Sequence, residues 1–266
     1  MVHMGKTRVQ DYIERYSDQI IRFNPYTIKK MGLLQSQTLL KLENYMLICA
    51  PYQLSMKRAV LLVILSRGEI GFFQQFQKKI TSLSLTFQKP GDKNPINLFI
   101  RGNLDRIGPV KGRANVCLAD ISLKNCPNDL TEIIGDFIIS YNSLKSQYEN
   151  FKDRAVEINE KSAELMRFNN YIESQPASQK IQTKLFSISV NKLILGIPDS
   201  VQGLDKVQRL VSKLYFQTYQ FIVNGKVDEI ESASEGYRRV HCSIDFSPEL
   251  VEIMDDYFFR MSFRKE

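Results

Sequence analysis

The chain has no tryptophan and only two histidines, His3 and His241, among its 266 residues. A histidine-rich metal centre needs more ligands than that inventory supplies. Cysteine is scarce as well: Cys49, Cys117, Cys126 and Cys242 show no CxxC spacing. They lie mostly in apolar, strand-like surroundings such as CLADI and HCSIDF, which reads as buried, reduced thiols in a cytoplasmic protein. Long hydrophobic runs are missing, and the longest, Ala59 to Leu65, is far too short to span a bilayer. No signal peptide opens the chain; Met1 to Gly5 reads as a vector scar or an alternative start at Met4 and is set aside. Nor is there a nucleophile–base pair, a metal set or a phosphate loop, which points away from an enzyme.

The length suits two domains of ordinary size, and 43% hydrophobic residues are enough to bury a core. The net charge of +7 favours anionic partners such as nucleotides, nucleic acid or a membrane surface. Lysine and arginine are scattered, however, and the densest groups are the pairs Lys29-Lys30 and Lys78-Lys79. A nucleic-acid-binding barrel would carry a basic stripe with interleaved aromatics, and the dispersed charge argues against one.

The sequence repeats itself. Ser84 to Gln88 (SLTFQ) resembles Lys213 to Gln217 (KLYFQ), and FIRGNLDRI from Phe99 resembles IVNGKVDEI from Ile222. VCLADIS from Val116 matches VHCSIDFS from Val240 loosely, and DLTEIIGDF from Asp129 matches ELVEIMDDY from Glu249. Blocks in the same order at similar offsets mean two copies of one fold. Each copy reads as short alternating strands closed by a single helix. Turn chemistry at Pro90-Gly91-Asp92, Asn224-Gly225 and Glu235-Gly236 separates the strands. Ser247-Pro248-Glu249 starts the last helix, with Ser as N-cap, Pro first in the helix and Glu against the dipole. Many antiparallel strands and one closing helix suggest a small barrel. Arg8 to Ile21 reads as a further helix, and Asn142 to Ser174 as a polar, mostly helical connector ending near Gln175-Pro176.

One hairpin stands out. In TKLFSISVNKLILGI, Thr183 to Ile197, the apolar residues Leu185, Ile188, Val190, Leu193 and Leu195 frame two strands joined by Ser189-Val190-Asn191-Lys192. With this hairpin, VNGKVDEI and GYRRVHCSIDFSPELVEIMDDYF, the C-terminal copy resembles a PilZ domain. The whole chain resembles the tandem two-domain PilZ proteins of spirochaetes. The resemblance implies a mainly β fold with flanking helices: two six-stranded antiparallel barrels joined by a helical connector. The boundaries read as 1–140 for the N-terminal barrel, 141–175 for the connector and 176–266 for the C-terminal barrel.

The resemblance further implies a non-enzymatic receptor of cyclic di-GMP that passes its signal to a protein partner, with control of motility as a family expectation. The family's site pairs an R-x-x-x-R segment, whose guanidinium forks grip phosphates and guanine, with a D-x-S-x-x-G hairpin. Here the Arg motif matches best at Arg167 to Tyr171, with Tyr171 in place of the second Arg. The hairpin motif matches at Ser187 to Lys192: Ser187 replaces the Asp, Ser189 stays, and Lys192 replaces the Gly. The candidate ligand residues are therefore Arg167, Tyr171, Ser187, Ser189 and Lys192, with Arg154 and Lys161 as nearby basic groups that would compensate. Losing one fork and one carboxylate costs about 1–3 kcal/mol each. Two readings follow: weak cyclic di-GMP binding at a non-standard site, or a degenerate adaptor that binds a protein partner and no nucleotide. Bland readings stand beside them: Arg167 as a surface residue, Ser189 as a turn hydroxyl and Lys192 as solvated. Asp120 and Asp245 read as helix-entry caps, and Leu65 to Gly71 as the hairpin region of the first copy, with Arg67 near it.

Overall fold

A computed structural model describes residues 6–88, 91, 93–176, 180–217, 219–232 and 236–263. Pro90, Asp92 and Glu235, and with them most of two expected turns, lie outside the described residues. The chain divides into one unit over Met1–Ser140 and another over Tyr141–Glu266.

The first unit runs α1 (Arg8–Tyr16), β1 (Ile21–Arg22), α2 (Pro25–Met31), β2 (Leu39–Leu42), β3 (Tyr45–Leu54), β4 (Arg58–Ile64), α3 (Arg67–Gln74), β5 (Ile80–Phe87), β6 (Ile96–Pro109) and β7 (Val116–Leu123). Helix α4 (Asn128–Phe151) begins in this unit and ends in the next. Strands pair in the order β3-β2-β5-β6-β7-β4, and β4 pairs back onto β3, closing a six-stranded antiparallel barrel with β1 added against β3. Closure leaves the barrel no free edge to pair with another chain. Its interior is filled by side chains with almost no exposure, among them Leu40, Leu61, Leu83, Phe87, Ile100 and Ile121. Helix α1 lies on α4, where Gly135 has no side chain because the Tyr12 ring occupies the space a Cβ would need. The Tyr12 hydroxyl donates to Asp136 at 2.8 Å and accepts from Arg8 Nε at 2.9 Å.

The second unit continues with β8 (Val156–Glu157), α5 (Glu160–Met166), β9 (Phe168–Pro176), β10 (Ile181–Ile188), β11 (Lys192–Pro198), β12 (Arg209–Phe216), β13 (Tyr219–Ser232), β14 (Tyr237–Ile244) and α6 (Pro248–Phe263). It closes in the same way, as β10-β9-β12-β13-β14-β11 with β11 back on β10, and β8 takes the place of β1. The fold is thus two closed six-stranded antiparallel barrels in tandem with flanking helices. Residues 141–175 hold the end of α4, β8, α5 and most of β9, so strand as well as helix.

The duplication reaches individual contacts. Gly102 and Gly225 each lie where a Cβ would crowd β7 or β14, 2.6 Å from the Ser122 carbonyl in one barrel and 3.0 Å from Cys242 Cβ in the other. Asp105 and Asp228 each sit at a bulge and accept from the hydroxyl of Ser122 or Ser243. Ser122 opposes Arg58 and Ser243 opposes Lys192, so the third repeated block aligns Ser122 with Ser243 rather than with Ser247. Of the two Asp residues read as caps, Asp120 lies mid-strand in β7 and binds the Arg58 guanidinium. Ser247 does cap α6, its hydroxyl accepting from the Leu250 N–H at 3.3 Å. Leu65 to Gly71, expected near a hairpin, instead leads into α3, because Ser66 and Glu69 form a capping box. The true hairpin of the first barrel is the β3–β4 turn around Ser55.

Candidate functional site

The hairpin of the second barrel forms as its pattern predicts. Leu185, Ile188, Val190, Leu193 and Leu195 are buried, and the turn occupies Ser189 to Asn191. Ser189 is buried and its hydroxyl is fully engaged. It accepts from the Lys192 N–H at 3.0 Å and donates to Asn191 Oδ1 at 2.9 Å, while the Ser189 N–H donates to the Lys192 carbonyl at 2.9 Å. Ser55 repeats the arrangement: its N–H donates to the Arg58 carbonyl at 2.8 Å, and its hydroxyl accepts from the Arg58 N–H at 3.0 Å. The serine of this hairpin is a turn-forming residue in both barrels.

A cleft of about 420 Å³ opens beside the turn, and Ser187, Ser189 and Lys192 line it. Lys152 and Asp153 reach it from the α4–β8 connection, held close because Glu157 and Val156 pair with Ser187 and Ile188. Asp228, Glu229, His241 and Cys242 close its far side. Its full charges are thus two lysines against three carboxylates. Burial pushes the Cys242 thiol up to about 12, so it is no nucleophile.

Arg167 and Tyr171 are not part of this lining. Arg167 ends α5 in the left-handed region, with φ 56°, and its side chain is exposed. Its carbonyl accepts from the Gln217 N–H at 2.9 Å. Tyr171 stands on β9 with its ring edge-on to Tyr215, centroids 5.0 Å apart. The structure therefore brings three of the five expected residues together and leaves the other two elsewhere on the barrel.

A larger cleft of about 770 Å³ shares Asp153 and Ala155 with the first and is walled by Tyr257, Phe258 and Met261 of α6. Arg154 and Lys161 line it. The Arg154 guanidinium stacks 3.6 Å from the Phe258 ring centroid and, among the described residues, has no carboxylate partner. Such a stack contributes about 0.5–2 kcal/mol and leaves the donor edges of the fork open.

Lys152, Asp153, Asp228 and Glu229 were not among the residues the sequence singled out. A signal for Asp153 existed. Asp18 to Arg22, ahead of the Asn24 cap, stands where Asp153 to Glu157 stands ahead of the Asn159 cap. In the first barrel the matching cleft shrinks to about 200 Å³, lined by Asp18, Gln53, Ser55, Lys57 and Arg58. There Lys57 Nζ binds Asp18 at 2.8 Å, and this hydrogen bond holds the Asp18 carboxyl below its usual range.

Residues 7–140, half of the chain, match the PilZN3 domain, and the chain belongs to that family. No curated protein matches it. Several solved structures do. Borreliella burgdorferi PlzA in complex with c-di-GMP is 13% identical, with 94% of this chain and 98% of that chain covered and a TM-score of 0.44. Klebsiella MrkH in complex with c-di-GMP is 10% identical, with 92% and 99% covered and a TM-score of 0.34. The Bacillus subtilis inhibitor of motility MotI/DgrA is 8% identical, with 86% and 99% covered and a TM-score of 0.31. Among the described residues no helix is long and apolar enough to cross a membrane.

Proposed function

We propose that this protein is a non-enzymatic, cytoplasmic PilZ-type signalling protein that acts through protein contacts, and that its hairpin cleft does not hold cyclic di-GMP tightly. One observation carries the reading. The cleft beside Ser187, Ser189 and Lys192 sets Lys152 and Lys192 against Asp153, Asp228 and Glu229. A ligand with a negative charge on each phosphate meets a net excess of carboxylates there, and Lys152 is itself paired with Glu149. The Ser189 hydroxyl is also committed to its own turn, and the exposed Arg167 has no place in the lining.

A second reading has its own observation. The Arg154 guanidinium stacks on Phe258 with an open donor edge, the form in which arginine grips phosphate or guanine. On that reading cyclic di-GMP binds at a site rebuilt around Arg154 and Lys161. Calorimetric titration of the full chain with cyclic di-GMP separates the two. The first reading expects no saturable heat at micromolar ligand. Micromolar binding lost in Arg154→Ala and kept in Arg167→Ala would establish the second.

A further inference from the structure

We infer that the outer wall of the N-terminal barrel over β2, β3 and β4 is a docking surface for an acidic, amphipathic segment of a partner protein; the inference rests on the protein-contact reading above. Leu39, Met46, Ile48, Ala50, Leu62 and Ile64 point outward there. Met46, Ile48 and Ile64 are 66%, 73% and 81% exposed. The residues are contiguous: Leu39 opposes Ile48, Ala50 opposes Leu62, and Ile64 follows Val63, which opposes Cys49. Single exposed apolar residues are ordinary, but a contiguous patch is not.

The barrel itself does not require this patch, and the chain carries the control. The second barrel has the same strands in the same order. Where Leu39 faces Ile48, it has Glu173 facing Gln182, and where Ala50 faces Leu62, it has Lys184 facing Gly196. Lys180 and Pro198 stand at the places of Met46 and Ile64. One fold in one chain thus has a largely polar wall in one copy and an apolar wall in the other. The difference answers to something outside the barrel.

Charge selects the occupant. Outward positions of β2, β3 and β4 carry no acidic residue. Lys41, exposed and opposite Met46, has no carboxylate partner among the described residues. A second copy would set Lys41 against the same wall, whose outward positions offer it no carboxylate, on a chain of net charge +7. A partner segment with apolar residues on one side and carboxylates along its flank satisfies both the patch and Lys41.

The test uses the full chain with isoleucine methyl labels and two synthetic amphipathic helical peptides, one flanked by Glu and one by Lys. The Glu-flanked peptide is expected to shift the Ile48 and Ile64 methyl signals and to leave Ile222 of the second barrel, 60% exposed, in place. Ile48→Glu is expected to weaken binding about tenfold or more and Lys41→Glu several-fold, about 1.4 kcal/mol for each tenfold. Gln182→Glu, at the matched position, is expected to change nothing. Equal binding of the Lys-flanked peptide, or no shift with either, overturns the proposal. So does a dimer in sedimentation that Ile48→Glu dissolves, which makes the occupant a second copy. Binding to phosphatidylserine vesicles that the same substitution abolishes makes it a membrane. Tight cyclic di-GMP binding would sink the cleft reading and leave this surface standing, and a failed peptide titration would do the reverse.

Discussion

Arg167 and Gly32 hold the same place in the two halves of the chain. Each ends a short helix in the left-handed region, with φ of 56° and 70°, and each donates its N–H back into that helix. Glycine is at ease there and arginine is not. Arg167→Gly is therefore expected to stabilise the second unit by about 0.5–1 kcal/mol, read as a higher urea midpoint at unchanged slope. Gly32→Ala is expected to destabilise the first by more, since a Cβ there overlaps the Gln88 carbonyl. A loss of stability in Arg167→Gly would show that the exposed side chain has a partner after all.

The paired turn serines make a second prediction. Ser189→Ala leaves the Lys192 N–H without its acceptor, and Ser55→Ala does the same to the Arg58 and Lys57 N–H groups. Each substitution is expected to cost about 1–2 kcal/mol, measured by chemical unfolding. A cost in one barrel only would mean that the two turns are not equivalent in energy.

Gly135→Ala sets two effects against each other. Alanine gains about 1 kcal/mol over glycine inside a helix. Here its methyl would enter the Tyr12 ring, and overpacking costs about 1–3 kcal/mol. The clash is expected to win, with α1 loosened from α4 and faster amide exchange across Arg8–Tyr16. A stabilised variant would show that the Tyr12 ring moves aside freely.

Neutralising the cleft carboxylates is expected to create anion affinity. Asp153→Asn with Glu229→Gln removes two of the three acidic groups that line the cleft with Lys152 and Lys192. Each change is worth about 0.5–1 kcal/mol toward a phosphate at a partly exposed site, so the pair is expected to raise cyclic di-GMP binding roughly tenfold. Titration of the double variant checks this. Unchanged binding would place the obstacle in the missing motif side chains instead of the charge.

Cys49 and Cys242 predict the response to base. Burial pushes each thiol from its ordinary 9.0 to about 12. Below pH 9 the thiol is neutral in folded and unfolded chains alike, and its contribution is intact. From there toward pH 12 only the unfolded chain ionises, so stability falls as pH rises. Native protein at pH 8 is expected to leave both thiols unreacted toward a disulfide reagent, and unfolding is expected to release them. Rapid reaction of the folded protein would mean that the barrels open.

The barrels were legible because their repeats are bound to geometry. Gly102 and Gly225, and Asp105 and Asp228, recur since close strand approach and a bulge demand those residue types. The first half of each barrel hid its kinship, because its shared features are single residues spread along the chain: Asn24 with Asn159, Met31 with Met166, and Ser55 with Ser189. That is why Leu65 to Gly71 drew attention away from Ser55, although the Ser66–Glu69 box was readable as a helix start. The cleft was half legible. Ser187, Ser189 and Lys192 follow from a local motif, whereas Asp228 and Glu229 join them only through the pairing of β13 with β14 and of β14 with β11.

Helix α4 runs unbroken from Asn128 to Phe151, and the two units divide within it, after Ser140. Neither unit can be cut free at that boundary without severing the hydrogen bonds of a continuous helical turn. A chain cut there would expose unsatisfied carbonyl groups on one fragment and unsatisfied N–H groups on the other, so the boundary between the units is a position inside one helix and not a linker.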